Sequence, residues 1–286
     1  MPHATSWTSW SRRPEVDALA RRPLPAPRSA RPAVSGPDAT IVERHDVSPS
    51  VVRLRVRPDA GVPAFEPGQY VALGLEMDGR LVQRPYSIAS ARGETDALEL
   101  LVRLVPGGAL TPHLWPLGPG ARLRMGRPRG LFTESAGEAR RPIYVATGTG
   151  IAPLVAMLET RLREREDGPA DRRPVVVHGV ARARDLAYHD RLAALAAMRR
   201  ITYVPAVSRP GDAANAAWSG AVGRVDAVLQ AVLDLARVDV GAAVAYLCGN
   251  PGMTDAATSV LLALGMAAEA VRTEAYWSPA QAAPAA

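Results

Sequence analysis

The feature that most constrains the fold is a change of pattern near Arg140. Before it, short apolar runs are separated by turn residues; after it, apolar runs alternate with longer helical segments. In the first part Thr40–Arg44, Val51–Arg57, Tyr70–Leu75 and Leu98–Val105 read as strands, and Val52, Leu54 and Val56 alternate with Arg53, Arg55 and Arg57, so one face is buried and the other wet. Pro58, Gly61, Pro63, Pro67-Gly68 and Asp78-Gly79 break these runs. About six strands at this spacing predict a small antiparallel Greek-key β-barrel. In the second part Ile143–Thr147, Val175–His178, Ile201–Pro205, Val244–Cys248 and Val271–Trp277 read as strands. Helices are expected from Leu154 to about Glu166, over Asp185–Met198, over Val225–Leu235 and over Met253–Leu264. Such alternation predicts an α/β domain with a parallel sheet and ligands at the carboxyl ends of its strands. The expected division is a tail over residues 1–37, a barrel over 38–139 and an α/β domain over 140–286.

A chain of 286 residues suits two ordinary domains, and 48% hydrophobic content supplies a core for each. The net charge of +6 is concentrated at one end: six arginines against Glu15 and Asp17 give residues 1–37 +4 of it. The remainder is nearly neutral. Lysine is absent, which reads as a coding bias. No basic groove interleaved with stacking aromatics appears in the ordered part, so nucleic-acid binding is not expected. The tail mixes Pro, Arg, Ser and Ala with isolated Trp7 and Trp10 and reads as disordered or draped over the surface. A transit peptide has the same composition, and a docking arm is a third reading. The one cysteine, Cys248, excludes a disulfide framework and a four-cysteine iron–sulfur site. His3, His45, His113, His178 and His189 show no metal-ligand spacing, so no metal is expected. The longest mostly apolar stretch, Ala256–Ala268, is too short to span a bilayer, and the N-terminus lacks the apolar block of a secretory signal. The expectation is a cytoplasmic protein with no membrane insertion.

Four stretches carry chemistry. Gln83–Ser90 reads as a strand that sets Arg84, Tyr86 and Ser87 in fixed order along one edge. A guanidinium for a phosphate, a ring face for an isoalloxazine, and a hydroxyl or main-chain donor for the flavin nitrogens together suit a flavin nucleotide. In Pro106–Pro112, Gly107 and Gly108 let main-chain N–H groups approach an anion. Leu110 leads into Thr111 as N-cap and Pro112 as first helical residue, with Leu114 and Leu117 facing inward. A plain Gly-Gly turn is the bland alternative. Thr147 ends a strand, and Gly148-Thr149-Gly150-Ile151-Ala152-Pro153 opens a helix where a pyrophosphate can meet N–H groups, although Pro153 stands where the standard dinucleotide fingerprint has a third glycine. Cys248-Gly249 ends the fourth strand of the second domain; a buried structural cysteine is the usual meaning of such a residue. Arg122, Arg124, Arg127 and Arg129, with Leu123 and Met125 turned inward, read as a solvated strand face or as a docking patch for an acidic carrier.

Arg-x-Tyr-Ser at Arg84–Ser87, preceded by Pro67-Gly68-Gln69-Tyr70-Val71 and followed by Gly148–Pro153 and Cys248-Gly249, resembles the ferredoxin–NADP(+) reductase superfamily of two-domain flavoproteins, from about Ala39 to about Trp277. The resemblance implies FAD held by Arg84, Tyr86, Ser87, Ile88, Gly107, Gly108, Leu110 and Thr111. It implies a nicotinamide nucleotide held by Thr147, Gly148, Thr149, Gly150, Pro153, Cys248 and Gly249. It implies hydride transfer to flavin N5, with Tyr86, Ser87 and Cys248 at the reacting rings and Cys248 as a positioning group, not a nucleophile. Gly130–Thr133 resembles the segment closing the flavin domain. Arg209 and Arg224 fall where NADP-preferring members place arginines against the ribose 2′-phosphate, which favours NADPH over NADH. One departure stands out: His178-Gly179-Val180-Ala181-Arg182 resembles a His-x-x-Arg stretch with its arginine, Arg182, one residue late, and the loop carrying Asn215 and Trp218 is long. Tyr276 and Trp277 read as flavin-facing aromatics or as core. Asp185, Tyr188 and Asp190 read as helix caps and surface. The implied function is electron transfer between NADPH and a ferredoxin or flavodoxin. Two alternatives remain: an NADH-dependent reductase component of an oxygenase, and a flavin-binding interaction or sensor subunit without turnover.

Overall fold

The computed structural model describes residues 38–135, 137–164 and 172–276; the readings of the N-terminal tail and of Trp277 lie outside these residues. Strands β1 (Ala39–Ser48), β2 (Val51–Pro58), β3 (Tyr70–Met77), β4 (Arg80–Ser87), β5 (Leu98–Arg103) and β6 (Arg122–Met125) form an antiparallel sheet in the order β4-β3-β6-β1-β2-β5. Its two edges meet where Ile88 bridges Leu100 and the Ala89 N–H donates to the Glu99 carbonyl at 2.8 Å, which closes the barrel. Hairpins join β1 to β2 and β3 to β4, while the chain crosses over from β2 to β3 and from β5 to β6, the Greek-key pattern. Ile41, Leu54, Leu73, Leu98, Leu100 and Leu123 fill the interior. The single helical turn α1 (Thr111–Leu114) adds Leu114 to that core.

Two local expectations change. β4 starts and ends about one turn earlier than Gln83–Ser90, because the residues after Ser87 leave β3 to pair with β5. The four arginines expected on one wet face also divide. Arg124 is buried, since β6 lies between β1 and β3, and its Nε reaches Glu76 at 3.4 Å; Arg122 pairs with Asp59; Arg127 and Arg129 stay exposed.

Strands β7 (Arg141–Thr147), β8 (Val175–Val180), β9 (Thr202–Val207), β10 (Ala221–Val222), β11 (Ala243–Gly249) and β12 (Val271–Ala275) form a wholly parallel sheet in the order β10-β9-β8-β7-β11-β12. Helices α2 (Ile151–Glu164) and α3 (His189–Ala197) cover one face over Tyr144, Ala146 and Tyr246. Helices α4 (Val225–Leu235) and α5 (Pro251–Ala263) cover the other over Ile143, Val145 and Leu247. Burial on both faces explains why the central strands read as unbroken apolar runs. The strand order reverses between β7 and β11, so their carboxyl ends open a crevice. β10 is two residues inside the long loop, too short to show a period, and it makes the Cys248 strand the fifth in chain order. The helix expected from Asp185 begins only at His189. Tyr188 adopts φ 63° and interrupts it, and its ring is buried in the core between sheet and helices, not on the surface.

Candidate functional site

The carboxyl end of β4 meets β11 and β12. Strand alternation puts Arg84 and Tyr86 on one face of β4 and Ser87 on the other, which corrects the single-edge arrangement expected from sequence. Arg84 is exposed and its Nη1 donates to the Gln83 carbonyl at 2.7 Å. Burial pushes the Tyr86 phenol up to about 12, against the nearby Arg84 charge. Ser87 is buried; its Oγ accepts from the Tyr276 hydroxyl at 2.7 Å and donates to Glu274 Oε2 at 3.3 Å. Glu274 sits on β12 opposite Cys248 of β11, and burial raises its carboxyl pKa while the Ser87 hydrogen bond opposes. Cys248 is fully buried. Burial and the Glu274 charge raise its thiol pKa while the Tyr276 hydroxyl opposes, so it stays a thiol and not a nucleophilic thiolate. Ser87, Cys248, Tyr276 and Glu274 thus form one cluster. Glu274 was missed from sequence: a lone carboxylate in an edge strand looks solvated, and only the β11–β12 register sets it beside Cys248.

At the carboxyl ends of β7 and β11 two loops cross with no room for a methyl group. Thr147 leads into a tight turn, Gly148–Gly150, and α2 follows directly, with Pro153 buried in its first turn. A Cβ on Gly150 would lie 2.6 Å from the Cys248 carbonyl carbon and 2.8 Å from Gly249 Cα. Gly249 has φ 139°, and its Cβ would lie 2.8 Å from the Thr147 oxygen. The Asn250 N–H donates to Thr147 Oγ1 at 3.0 Å, while Asn250 Oδ1 caps α5 through the Gly252 N–H. A 14-residue helix thus presents its N-terminus beside bare backbone, the arrangement that suits a pyrophosphate. Arg103, exposed at the end of β5, brings its Nη1 within 3.5 Å of where a Gly148 Cβ would be. In sequence it is one more arginine ending a strand, and nothing there marks it.

His178 of β8 supports this turn from below. It is fully buried, and its Nε2 lies 2.9 Å from the Gly148 carbonyl oxygen. A carbonyl only accepts, so Nε2 carries the proton and Nδ1 is bare, buried without a partner among the described residues. Burial pulls its pKa from 6.5 down to about 4, against the Gly148 carbonyl, which favours the charged ring. Because the folded value is depressed, the unfolded chain takes the proton first. The stabilisation is complete above 6.5 and is lost as pH falls towards 4, about 3 kcal/mol in all. His178→Gln should flatten that acid limb. Denaturant unfolding above pH 6.5 and near pH 4 should differ less in the variant than in the parent, and an equal difference would contradict the assignment.

The remaining expected residues fall into two groups. Gly107 is exposed with φ 73°, but the Gly108 N–H is engaged by the Val105 carbonyl at 2.9 Å. Thr111 does not cap: its Oγ1 accepts from the Val105 N–H at 2.9 Å and donates to the Val105 carbonyl at 3.2 Å, closing the loop, while Leu110 holds the cap position without a side-chain bond. With four residues, α1 is one turn and carries no useful dipole. Leu110 is core, as is Ile88, whose N–H goes to the Gln69 carbonyl at 2.9 Å and is not a spare donor. Arg182, Arg209 and Arg224 follow the ends of the adjacent strands β8, β9 and β10. Arg182 Nε donates to Asp212 Oδ2 at 2.7 Å, Arg224 Nε lies 3.2 Å from Asp226 Oδ1, and Arg209 is exposed. Among the described residues no group of His, Cys, Asp and Glu is arranged to hold a metal ion, and no helix is long and apolar enough to cross a membrane.

The exposed Arg84 guanidinium, the half-buried Tyr86 ring and the buried Ser87 hydroxyl on β4 suit a flavin nucleotide, and the crossed glycine loops with Arg103 suit a dinucleotide. Comparison with known proteins agrees. Residues 38–133 match the oxidoreductase FAD-binding domain family and residues 144–259 the oxidoreductase NAD-binding domain family. Ferredoxin–NADP reductase B of Sorangium cellulosum is 40% identical over 192 residues, covering 66% of this chain and 75% of that protein. The reductase component DmpP of phenol 2-monooxygenase from a Pseudomonas species is 34% identical over 220 residues, covering 76% of this chain and 59% of its own length. The crystal structure of the Amycolatopsis cytochrome P450 reductase GcoB superposes with TM-score 0.71 at 29% identity over 84% of this chain and 69% of that one. With a flavin-type barrel, a nucleotide-type parallel sheet and these relatives in agreement, the chain is an FAD- and NAD-binding oxidoreductase and belongs to the ferredoxin–NADP(+) reductase superfamily.

Proposed function

We propose that this protein oxidises NADPH and passes the electrons through FAD to a one-electron carrier of the ferredoxin or flavodoxin kind. The observation that carries the NADPH reading is the row of Arg182, Arg209 and Arg224 beyond three adjacent strand ends. A ribose 2′-phosphate is a dianion, and each charge-assisted hydrogen bond to it contributes about 1.5–3 kcal/mol. The working division is a flavin domain over 38–139 and a nucleotide domain over 140–286.

FAD, when bound, accepts a hydride and gives up electrons one at a time; that chemistry is the cofactor's. The chain supplies position. Arg84 would pair with the flavin phosphate and Tyr86 would pack on the flavin. The Gly148–Gly150 turn and Arg103 would hold the nucleotide pyrophosphate. Ser87 Oγ, held between the Tyr276 hydroxyl and Glu274 Oε2, provides a hydroxyl of fixed orientation and a path for a proton to the Glu274 carboxylate. The close crossing of Gly150 over Cys248 and Gly249 leaves no space there for water.

A second reading rests on the likeness to the phenol 2-monooxygenase reductase component: an NADH-oxidising reductase serving an oxygenase. The one cysteine of this sequence cannot build a four-cysteine cluster. Steady-state reduction of a ferredoxin or flavodoxin separates the readings. The first expects kcat/KM for NADPH about a hundredfold or more above that for NADH. A ratio of one or below selects the oxygenase reading, and no turnover with either nucleotide selects a sensor subunit.

A further inference from the structure

The loop between β9 and β10 looks loose in sequence, yet it is tied closely to the turn after β8. Asn215 is buried, with 4% of its surface exposed, and its side chain makes three hydrogen bonds. Oδ1 accepts from the Ala183 N–H at 2.8 Å; Nδ2 donates to the Ala181 carbonyl at 3.0 Å and to the Arg209 carbonyl at 2.7 Å. One amide therefore fixes the spacing between the segment carrying Arg182 and the segment carrying Arg209. Asp212 makes the second tie. Its Oδ2 accepts from Arg182 Nε at 2.7 Å and its Oδ1 from the Ala214 N–H at 3.0 Å. Trp218 anchors the far side of the loop, packed against Val180, Leu186 and Val207, with its Nε1 donating to the Ala221 carbonyl at 2.9 Å.

Asp212 could act on Arg182 in two opposite ways: neutralise it, or aim it. The geometry favours aiming. Among the described residues only Nε is engaged, which leaves the Nη1 and Nη2 donors for another anion. Both oxygens of Asp212 already accept hydrogen bonds, so its charge is committed within the loop. We propose that Asp212 and Asn215 are positioning residues that hold Arg182 beside Arg209 as an arm of a clamp for the nucleotide's 2′-phosphate. This inference rests on the NADPH reading. It also accounts for the departure seen in sequence: the long loop carries the carboxylate and amide that compensate for an arginine one residue late.

The test is the KM for NADPH and for NADH in Asp212→Ala, Arg182→Ala, the double variant and Arg209→Ala, all as full-length flavoprotein. Asp212→Ala should raise KM for NADPH about tenfold with no matching rise for NADH, and in the Arg182→Ala background it should add nothing, because it acts through Arg182. A fall in KM for NADPH would mean that Asp212 repels the phosphate and would overturn the proposal. Equal rises for both nucleotides, or additive effects in the double variant, would overturn it too. Arg209→Ala separates this failure from that of the underlying reading. If it raises KM for NADPH while Asp212→Ala does not, only the positioning claim falls. If it leaves KM for NADPH unchanged, the NADPH reading falls and takes the clamp with it.

Discussion

Ser87→Ala should slow reduction of the bound flavin by NADPH about a hundredfold, the usual loss on removing one preorganised hydrogen-bond donor from a buried reacting centre. Ser87 Oγ is where the barrel and the parallel sheet touch chemically: Tyr276 donates to it and it donates to Glu274. Truncation removes the hydroxyl and also leaves the Tyr276 hydroxyl and the Glu274 carboxylate short of a partner. The Ser87 bond opposes the burial that raises the Glu274 pKa, so its loss moves that carboxyl further up. Stopped-flow reduction with flavin occupancy checked by absorbance isolates the effect. A variant that keeps its flavin and is reduced within about twofold of the parent rate would remove Ser87 from the reacting centre.

Gly150→Ala should cost about a hundredfold in kcat/KM with either nucleotide and spare the flavin. The new Cβ would lie 2.6 Å from the Cys248 carbonyl carbon and 2.8 Å from Gly249 Cα, and both contacts are backbone, so no side chain can swing aside. Either the turn before α2 or the end of β11 must move, and both line the crevice at the carboxyl ends of β7 and β11 that is proposed to receive the nucleotide. Gly118 is the control: its Cβ would meet nothing within 4 Å and its backbone is not left-handed, so Gly118→Ala should be nearly silent. Parental kcat/KM in Gly150→Ala would show that the crossing is not needed for nucleotide use.

Most of the fold was legible because both domains advertise their periods. The alternation of Val52, Leu54 and Val56 with arginines becomes β2, and the apolar run after Arg140 becomes β7, buried on both faces by helices. Local propensity failed where long-range partners decide. The segment after Ser87 turns to meet β5, Tyr188 takes a left-handed conformation to bury its ring, and Thr111, which looks like a cap, closes a loop on Val105. The candidate site was legible as motifs but not as geometry. Ser87, Gly150, Cys248 and Tyr276 belong to recognisable short stretches. Glu274 and Arg103 belong to none, and only strand register and the meeting of the two sheets bring them in.

The proposed role is that of an FAD reductase driven by NADPH. The most direct measurement is an anaerobic titration of the purified flavoprotein, following loss of the oxidised flavin band as NADPH or NADH is added. A reductase driven by NADPH should bleach stoichiometrically with NADPH at concentrations far below those needed with NADH. Bleaching by NADH in preference to NADPH would contradict the roles of Arg209 and Arg224, and a protein that binds no flavin would contradict the reading from Arg84 onward.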